Sequence, residues 1–279
     1  MVVLQRDDIG LPTPGLDLWW VTMPPVDVDQ WLLTWRSMLG EQDIERLHQR
    51  RLPKGQAQFL FTRLVLRNLL SAYHPAVAPA QWQFLKSDTG RPYLAPDQSP
   101  LSFNLSHSGD KLLVAVSQYG DPGIDVESVQ REVQIQSVAE RYFFPSEARH
   151  LALLATAPQA QRDWFLRLWT LKESAVKATG LGLSRALRKF EFGEADELTL
   201  WHQLHQMPPT DIRFWSGCYQ GFVMGVACKA HAGMSIQTLV PVMRELRWPL
   251  TTDLTDMPGV VELQWRASQS RNSSTNFEP

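Results

Sequence analysis

Acidic residues alternating along a short apolar run are the first feature with chemical potential. In Gly123-Ile124-Asp125-Val126-Glu127 the strand period sends Ile124 and Val126 to one face and Asp125 and Glu127 to the other, so two carboxylates stand side by side. Close like charges call for solvent, a basic partner or a divalent cation, and this segment alone leaves all three open. A second group lies on the helical stretch Trp164 to Thr179, where Glu173 and Lys177 stand one turn apart on the more polar face. By themselves they fit an ordinary exposed ion pair worth about 0.2–0.5 kcal/mol. Lys172 falls instead near the apolar stripe of Phe165, Leu168 and Val176, where it must snorkel or meet an anion, because an unpaired buried ammonium is costly. In a third segment, Phe103-Asn104-Leu105-Ser106-His107-Ser108-Gly109, small polar groups and a histidine close a strand before a glycine turn. Such a turn can offer N–H groups to phosphate, although a lone histidine also serves as a satisfied structural residue. No Walker A sequence is present, and Gly180-Leu181-Gly182 is too short for a dinucleotide fingerprint.

These groups need a scaffold, and the chain of 279 residues with 44% hydrophobic content can supply one. Leu16 to Met23 reads as a strand, Val28 to Met38 as a helix, and Gln56 to Tyr73 as a long helix that His74-Pro75 ends. Short strands are expected at Trp82 to Leu85, Leu101 to Leu105 and Leu112 to Ser117, forming one small antiparallel sheet. Tyr119-Gly120-Asp121-Pro122-Gly123 is the sharpest turn cluster and marks the expected boundary between two halves. A strand follows from Gly123 to Glu127, helices at Val133 to Tyr142 and Gln159 to Thr179, and strands at Leu198 to Leu204, Ile212 to Cys218 and Phe222 to Cys228. The division is therefore 1–122, 123–250 and a polar tail, 251–279, expected to be disordered. Net charge is −2, from 27 basic and 29 acidic residues, so the chain lacks the basic field of a nucleic-acid binder. Two cysteines, with no signal-peptide pattern at Met1 to Asp8 and no run long enough to span a bilayer, lead us to expect a reducing, cytoplasmic setting and no membrane contact.

Five segments stand together in an order that resembles the phosphopantetheinyl transferases of the larger, surfactin-synthetase-activating type. They are Gly90-Arg91-Pro92-Tyr93-Leu94, Phe103 to Ser108, Gly123 to Glu127, Phe143-Phe144-Pro145-Ser146-Glu147, and Trp169-Thr170-Leu171-Lys172-Glu173-Ser174-Ala175-Val176-Lys177. A looser match, Phe59 to Arg67, extends the likeness into the first half. Gln56-Ala57-Gln58 departs from the charged pair that many members carry before the long helix, so the N-terminal part of the phosphate pocket is the least secured.

The resemblance implies an α+β fold of two similar halves related by a pseudo-two-fold axis, each a small antiparallel sheet packed on a long helix. The active site lies in the cleft between them. It implies that Asp125, Glu127 and Glu173 hold magnesium, an ion suited to oxygen ligands. By the same resemblance coenzyme A is expected to be bound by Arg46, Arg63, Arg91, Ser106, His107, Asp125, Lys172 and Lys177. Catalysis is expected from Glu173 as general base, with Lys177 and Asp125, as the serine of an apo acyl or peptidyl carrier protein takes phosphopantetheine from coenzyme A. Two complementary halves in one chain point to a monomer. The competing readings are a non-catalytic coenzyme A or carrier-binding module, which has no need of all four of Asp125, Glu127, Glu173 and Lys177, and a metal-dependent phosphodiesterase, against which the missing basic stripe weighs.

Overall fold

The computed structural model describes residues 15–182, 186–196, 199–208, 210–246, 248 and 260–271. The expectations for residues 1–14 and for 251–259 and 272–279 of the tail lie outside the described residues.

The first half runs β1 (Leu16–Thr22), α1 (Val28–Trp35), α2 (Glu41–His48), α3 (Pro53–Tyr73), β2 (Phe84–Lys86), β3 (Pro92–Leu94), β4 (Ser102–Ser108) and β5 (Lys111–Ser117). The second continues with β6 (Gly120–Ser128), α4 (Ile135–Tyr142), α5 (Pro145–Leu153), α6 (Pro158–Thr179), β7 (Phe190–Glu194), β8 (Leu200–Leu204), β9 (Ile212–Tyr219) and β10 (Phe222–Ala230). Three strands close the chain: β11 (Val242–Leu246), β12 (Val260–Val261) and β13 (Arg266–Ser270). One sheet has the order β12-β11-β1-β5-β4, another β6-β10-β9-β13-β8-β7, and β2 and β3 form a separate ribbon. This is a mixed α+β fold.

Alternation along the strands builds the layers. Leu18 and Trp20 of β1 and Leu113 and Ala115 of β5 meet Ile124 and Val126 of β6 and Met224 and Val226 of β10 in a core between the sheets. Trp19, Val21, Leu112 and Val114 point the other way and bury against α3. On the outer face of the second sheet, Phe214, Val223 and Ala227 bury against Phe165, Leu168 and Leu171 of α6. Each sheet thus carries one long helix on its outer side. Proline stands at the first helical position of both α3 and α6, where its missing N–H costs nothing. At the other end of α6, Gly180 takes the left-handed conformation and donates to Val176 O.

The depth at which α6 sits is set by glycine. A Cβ on Gly123 would overlap Ser174 O and Ala178 N, and one on Gly225 of the neighbouring strand would overlap Thr170 O. Backbone therefore lies on backbone, which brings Glu173 and Lys177 down to Asp125.

Several expectations are corrected. The supposed turn at Tyr119–Gly123 is the start of β6, because Gly120, Asp121, Pro122 and Gly123 pair with Ala230, Lys229, Cys228 and Ala227. The turn itself lies between β5 and β6, three residues earlier than the expected boundary. The second half does not run unbroken to 250: β11 crosses back to pair in parallel with β1, so Val242–Leu246 belongs to the first sheet. Part of the expected disordered tail is ordered, since β13 fills the slot between β9 and β8, with Ala267 against Trp215 and Ser268 Oγ on His202 Nδ1 at 2.9 Å. Short polar strands carry no apolar alternation, and it is the flanking ladders that order this one. The small sheet expected from the three central strands is split, with β4 and β5 joining β1 and the Phe84–Lys86 strand pairing only with β3.

Candidate active site

The two sheets meet edge to edge where β4 runs beside β6, and side chains join them. Asn104 Oδ1 accepts from Ile124 N at 3.0 Å, Ser106 Oγ donates to Asp125 Oδ1 at 2.9 Å, and Ser108 Oγ accepts from Ser128 N at 3.2 Å. Residues 104, 106 and 108 share one face by strand alternation. His107 points to the other face, where its Nε2 lies 2.8 Å from Thr62 Oγ1 on α3. Ser106 and His107, adjacent in sequence, therefore serve two different parts of the cleft.

The first part is acidic. Lys177 Nζ donates to Asp125 Oδ1 at 2.7 Å, to Ile124 O at 2.9 Å and to Ser106 Oγ at 3.3 Å. The i, i+4 pairing of Lys177 with Glu173 on an exposed face is thus replaced by a cross-element pair, and Glu173 is buried. Burial first, and then the charge of Asp125, pushes the Glu173 carboxyl up to about 7. Glu127 is also raised by burial and by Asp125, while Arg131, its ion-pair partner, and Trp169, which hydrogen-bonds it, work the other way. Among the described residues no three acidic, histidine or cysteine side chains already converge as a metal site. The donor set nevertheless suits a hard cation. Asp125 Oδ2 is buried with no hydrogen-bond partner, beside two glutamates whose charges burial disfavours.

The second part is basic. A cavity of about 520 Å³ is lined by Arg46, Arg50, Arg63, Lys86, Phe59 and His107, among others. Arg46 projects from α2 and Arg63 from α3. Asp43, buried on α2, pairs with Arg63 at 3.3 Å and Arg67 at 2.5 Å and orients both. Arg63 stacks over Phe84 at 4.5 Å, and its Nη1 is buried without a partner. Burial and the neighbouring arginines lower Arg63 to about 10, with Asp43 opposing, so it remains cationic at neutral pH. His107 is pushed down to about 4 by burial and then by Lys177, so in the ligand-free protein it is a neutral ring at neutral pH. A second, smaller cavity, lined by Arg91, Asn104, Val176 and Lys177, shares Gly90, Pro92 and Leu105 with the first. The two cavities therefore adjoin, and Lys177, the ion-pair partner of Asp125, lines the second.

One sequence-assigned residue leaves the site. Lys172 is fully buried on the opposite side of α6, paired with Glu147 at 2.7 Å and donating to Leu187 O and Phe190 O. It meets an anion, but an internal one, on the side of α6 away from Asp125. Arg91 stays in the cleft wall, with its guanidinium bonded to Ala178 O, Asp121 Oδ1 and Pro122 O. Asp43 and Lys86 were missed, and their signals exist only once α2 and β2 are placed around α3.

Profiles described as "4'-phosphopantetheinyl transferase superfamily" and "4'-phosphopantetheinyl transferase, N-terminal" match residues 121–227 and 25–119. The 4'-phosphopantetheinyl transferase HetI of Nostoc sp. is 32% identical over 181 residues, covering 62% of this chain and 75% of that protein. The chain belongs to the 4'-phosphopantetheinyl transferase family. A putative 4'-phosphopantetheinyl transferase of Synechocystis sp. is 27% identical across 78% of this chain and 91% of its own length. A Bacillus subtilis 4'-phosphopantetheinyl transferase is 36% identical over 119 residues, 43% of this chain and 50% of that one. The border between the two profiles falls at Gly120, the first residue of β6, where the chain passes from one sheet to the other. No helix among the described residues is long and apolar enough to cross a membrane.

Proposed function

We propose that the cleft between the two sheets binds coenzyme A and passes its phosphopantetheine to a carrier-protein serine, releasing adenosine 3',5'-bisphosphate. The observation that carries this reading is Asp125. One of its oxygens is held by Ser106 and Lys177 while the other is buried and unpartnered, its charge acting on Glu173, and Lys177 lines the cavity that adjoins the arginine cavity. In this reading Arg63, Arg46 and His107 hold the nucleotide end, with the free Arg63 Nη1 hydrogen-bonding a phosphate oxygen. Lys177 faces the diphosphate. Asp125, Glu127 and Glu173 would hold magnesium, which when bound neutralises charge on the diphosphate and the leaving group. Glu173 is the carboxylate that would accept the serine proton.

The two layers of sheet and long helix act as similar halves about a pseudo-two-fold axis, and a single chain completes the cleft, in keeping with a monomer. Free cysteines, Cys218 and Cys228, suit a reducing cytoplasm. The non-catalytic module is disfavoured by the strained acidic cluster, which a pure binder does not need. The test is intact mass spectrometry of an apo-carrier protein incubated with this protein, coenzyme A and magnesium. A gain of one phosphopantetheine supports the proposal, and an unchanged carrier across acyl and peptidyl carrier types overturns it.

A further inference from the structure

Outside the acidic cluster, polar side chains from separate segments converge on Asp121, the second residue of β6. Its Oδ1 accepts from Arg91 Nη2 at 3.2 Å and from Ser102 Oγ at 3.3 Å, and lies 3.7 Å from His231 Nε2. Ser102 and His231 are themselves 3.3 Å apart. Ser102 and His231 have no part in the proposed transfer. Their common effect is on Arg91, which stands just before β3 and reaches across the cleft mouth. The same guanidinium bonds Ala178 O at 3.0 Å, one residue beyond Lys177, and Pro122 O at 3.3 Å, three residues before Asp125.

An arginine side chain has several rotatable bonds, and here Nη1 and Nη2 each bond one carbonyl while Asp121 adds an opposite charge on Nη2 that holds the guanidinium against them. Arg91 also lines the cavity that it shares with Lys177 and Asn104. We infer that Asp121 is a positioning residue for coenzyme A binding: it holds Arg91 in the cleft wall and through it ties the first-half ribbon to the two elements that carry Asp125 and Lys177. This rests on the coenzyme A reading of the cleft.

The test is a double-mutant cycle of Asp121→Ala and Arg91→Ala, read as the Kd for coenzyme A by calorimetry and as KM for the carrier. The pair is partly exposed, 17% at Arg91 and 34% at Asp121, so its effect is smaller than that of a fully buried charged hydrogen bond. Asp121→Ala should therefore weaken coenzyme A binding about five- to tenfold, Arg91→Ala at least as much, and the double variant should lie within about twofold of Arg91→Ala. The carrier KM should stay within about twofold of wild type throughout, which a general loosening of the fold would not allow. Should Asp121→Ala fail to fold, Asp121→Asn keeps the shape and shows the same pattern at smaller size. Effects that add in the double variant, or an Asp121→Ala protein that binds coenzyme A as wild type does, overturn the inference. Wild type that binds coenzyme A but leaves the carrier unmodified would refute the transferase reading alone, and the cycle would still decide Asp121.

Discussion

Glu173→Gln separates the electrostatic cost of the acidic cluster from its catalytic use. In the metal-free protein the Glu173 carboxyl is moved from 4.5 to about 7, mainly by burial and secondly by Asp125. Below about pH 4.5 it is protonated whether the chain is folded or not, and it contributes nothing to the pH dependence. Between 4.5 and about 7 the folded chain keeps a proton that the unfolded chain has lost, so stability falls as pH rises. Above about 7 the full penalty is present, on the order of 3 kcal/mol at about 1.36 kcal/mol per tenfold change in proton affinity. The amide that Glu173→Gln introduces is neutral, has the same shape and escapes this penalty. Urea denaturation with EDTA, from pH 4 to 8, should therefore show the variant matching wild type at the acid end and exceeding it by up to about 3 kcal/mol at the alkaline end. The same variant should lose about 10²- to 10⁴-fold in transfer. Equal stability at pH 8 together with an unchanged pH slope would refute the burial and charge argument.

Gly123→Ala forces β6 and α6 apart at Ser174 O and Ala178 N; it should cost at least about 1–3 kcal/mol by denaturation and lower turnover even at saturating coenzyme A. Lys172→Met leaves Glu147 buried without its cation and should destabilise by about 3–5 kcal/mol, with Glu147→Leu in the same chain recovering most of the loss in a thermal melt. A Lys172→Met protein of normal stability with weakened coenzyme A binding would return Lys172 to the cleft. Arg63→Ala removes the buried guanidinium of the basic cavity; calorimetry should show coenzyme A binding weakened at least about tenfold, while kcat at saturating coenzyme A changes little.

What the sequence disclosed follows from how local its signals are. Alternation in β6 and helical spacing in α6 are short-range patterns, and they placed Asp125 and Glu127 on one strand face and Glu173 and Lys177 on one helix turn. Which partner each side chain takes is a long-range matter. Lys177 and Lys172 are five residues apart on the same helix, yet one crosses to Asp125 and the other to Glu147, because α6 is wedged between β6 and the segment that bears Glu147. Glycines explain part of the misplaced boundary. Gly120 and Gly123 look like turn residues in isolation, but within β6 they are small so that Lys229 and α6 can approach. The return of β11 to β1 and the insertion of β13 are invisible because their pairing is set by strands far away in sequence, even though Met243 and Leu246 of β11 are buried in the core. The basic cavity needed α2, whose charged sequence carries only Ile44 and Leu47 toward the core and so gives a weak helical stripe.

The central claim is that one cleft places a diphosphate against Asp125, Glu127 and Glu173 while the arginine cavity holds the nucleotide. Crystals grown with coenzyme A and manganese in place of magnesium test it directly by anomalous scattering. The account predicts one manganese peak at bonding distance from Asp125 and Glu173 oxygens, with coenzyme A phosphate density reaching Arg63. Density for coenzyme A elsewhere on the molecule, or a manganese peak away from these carboxylates, would contradict it.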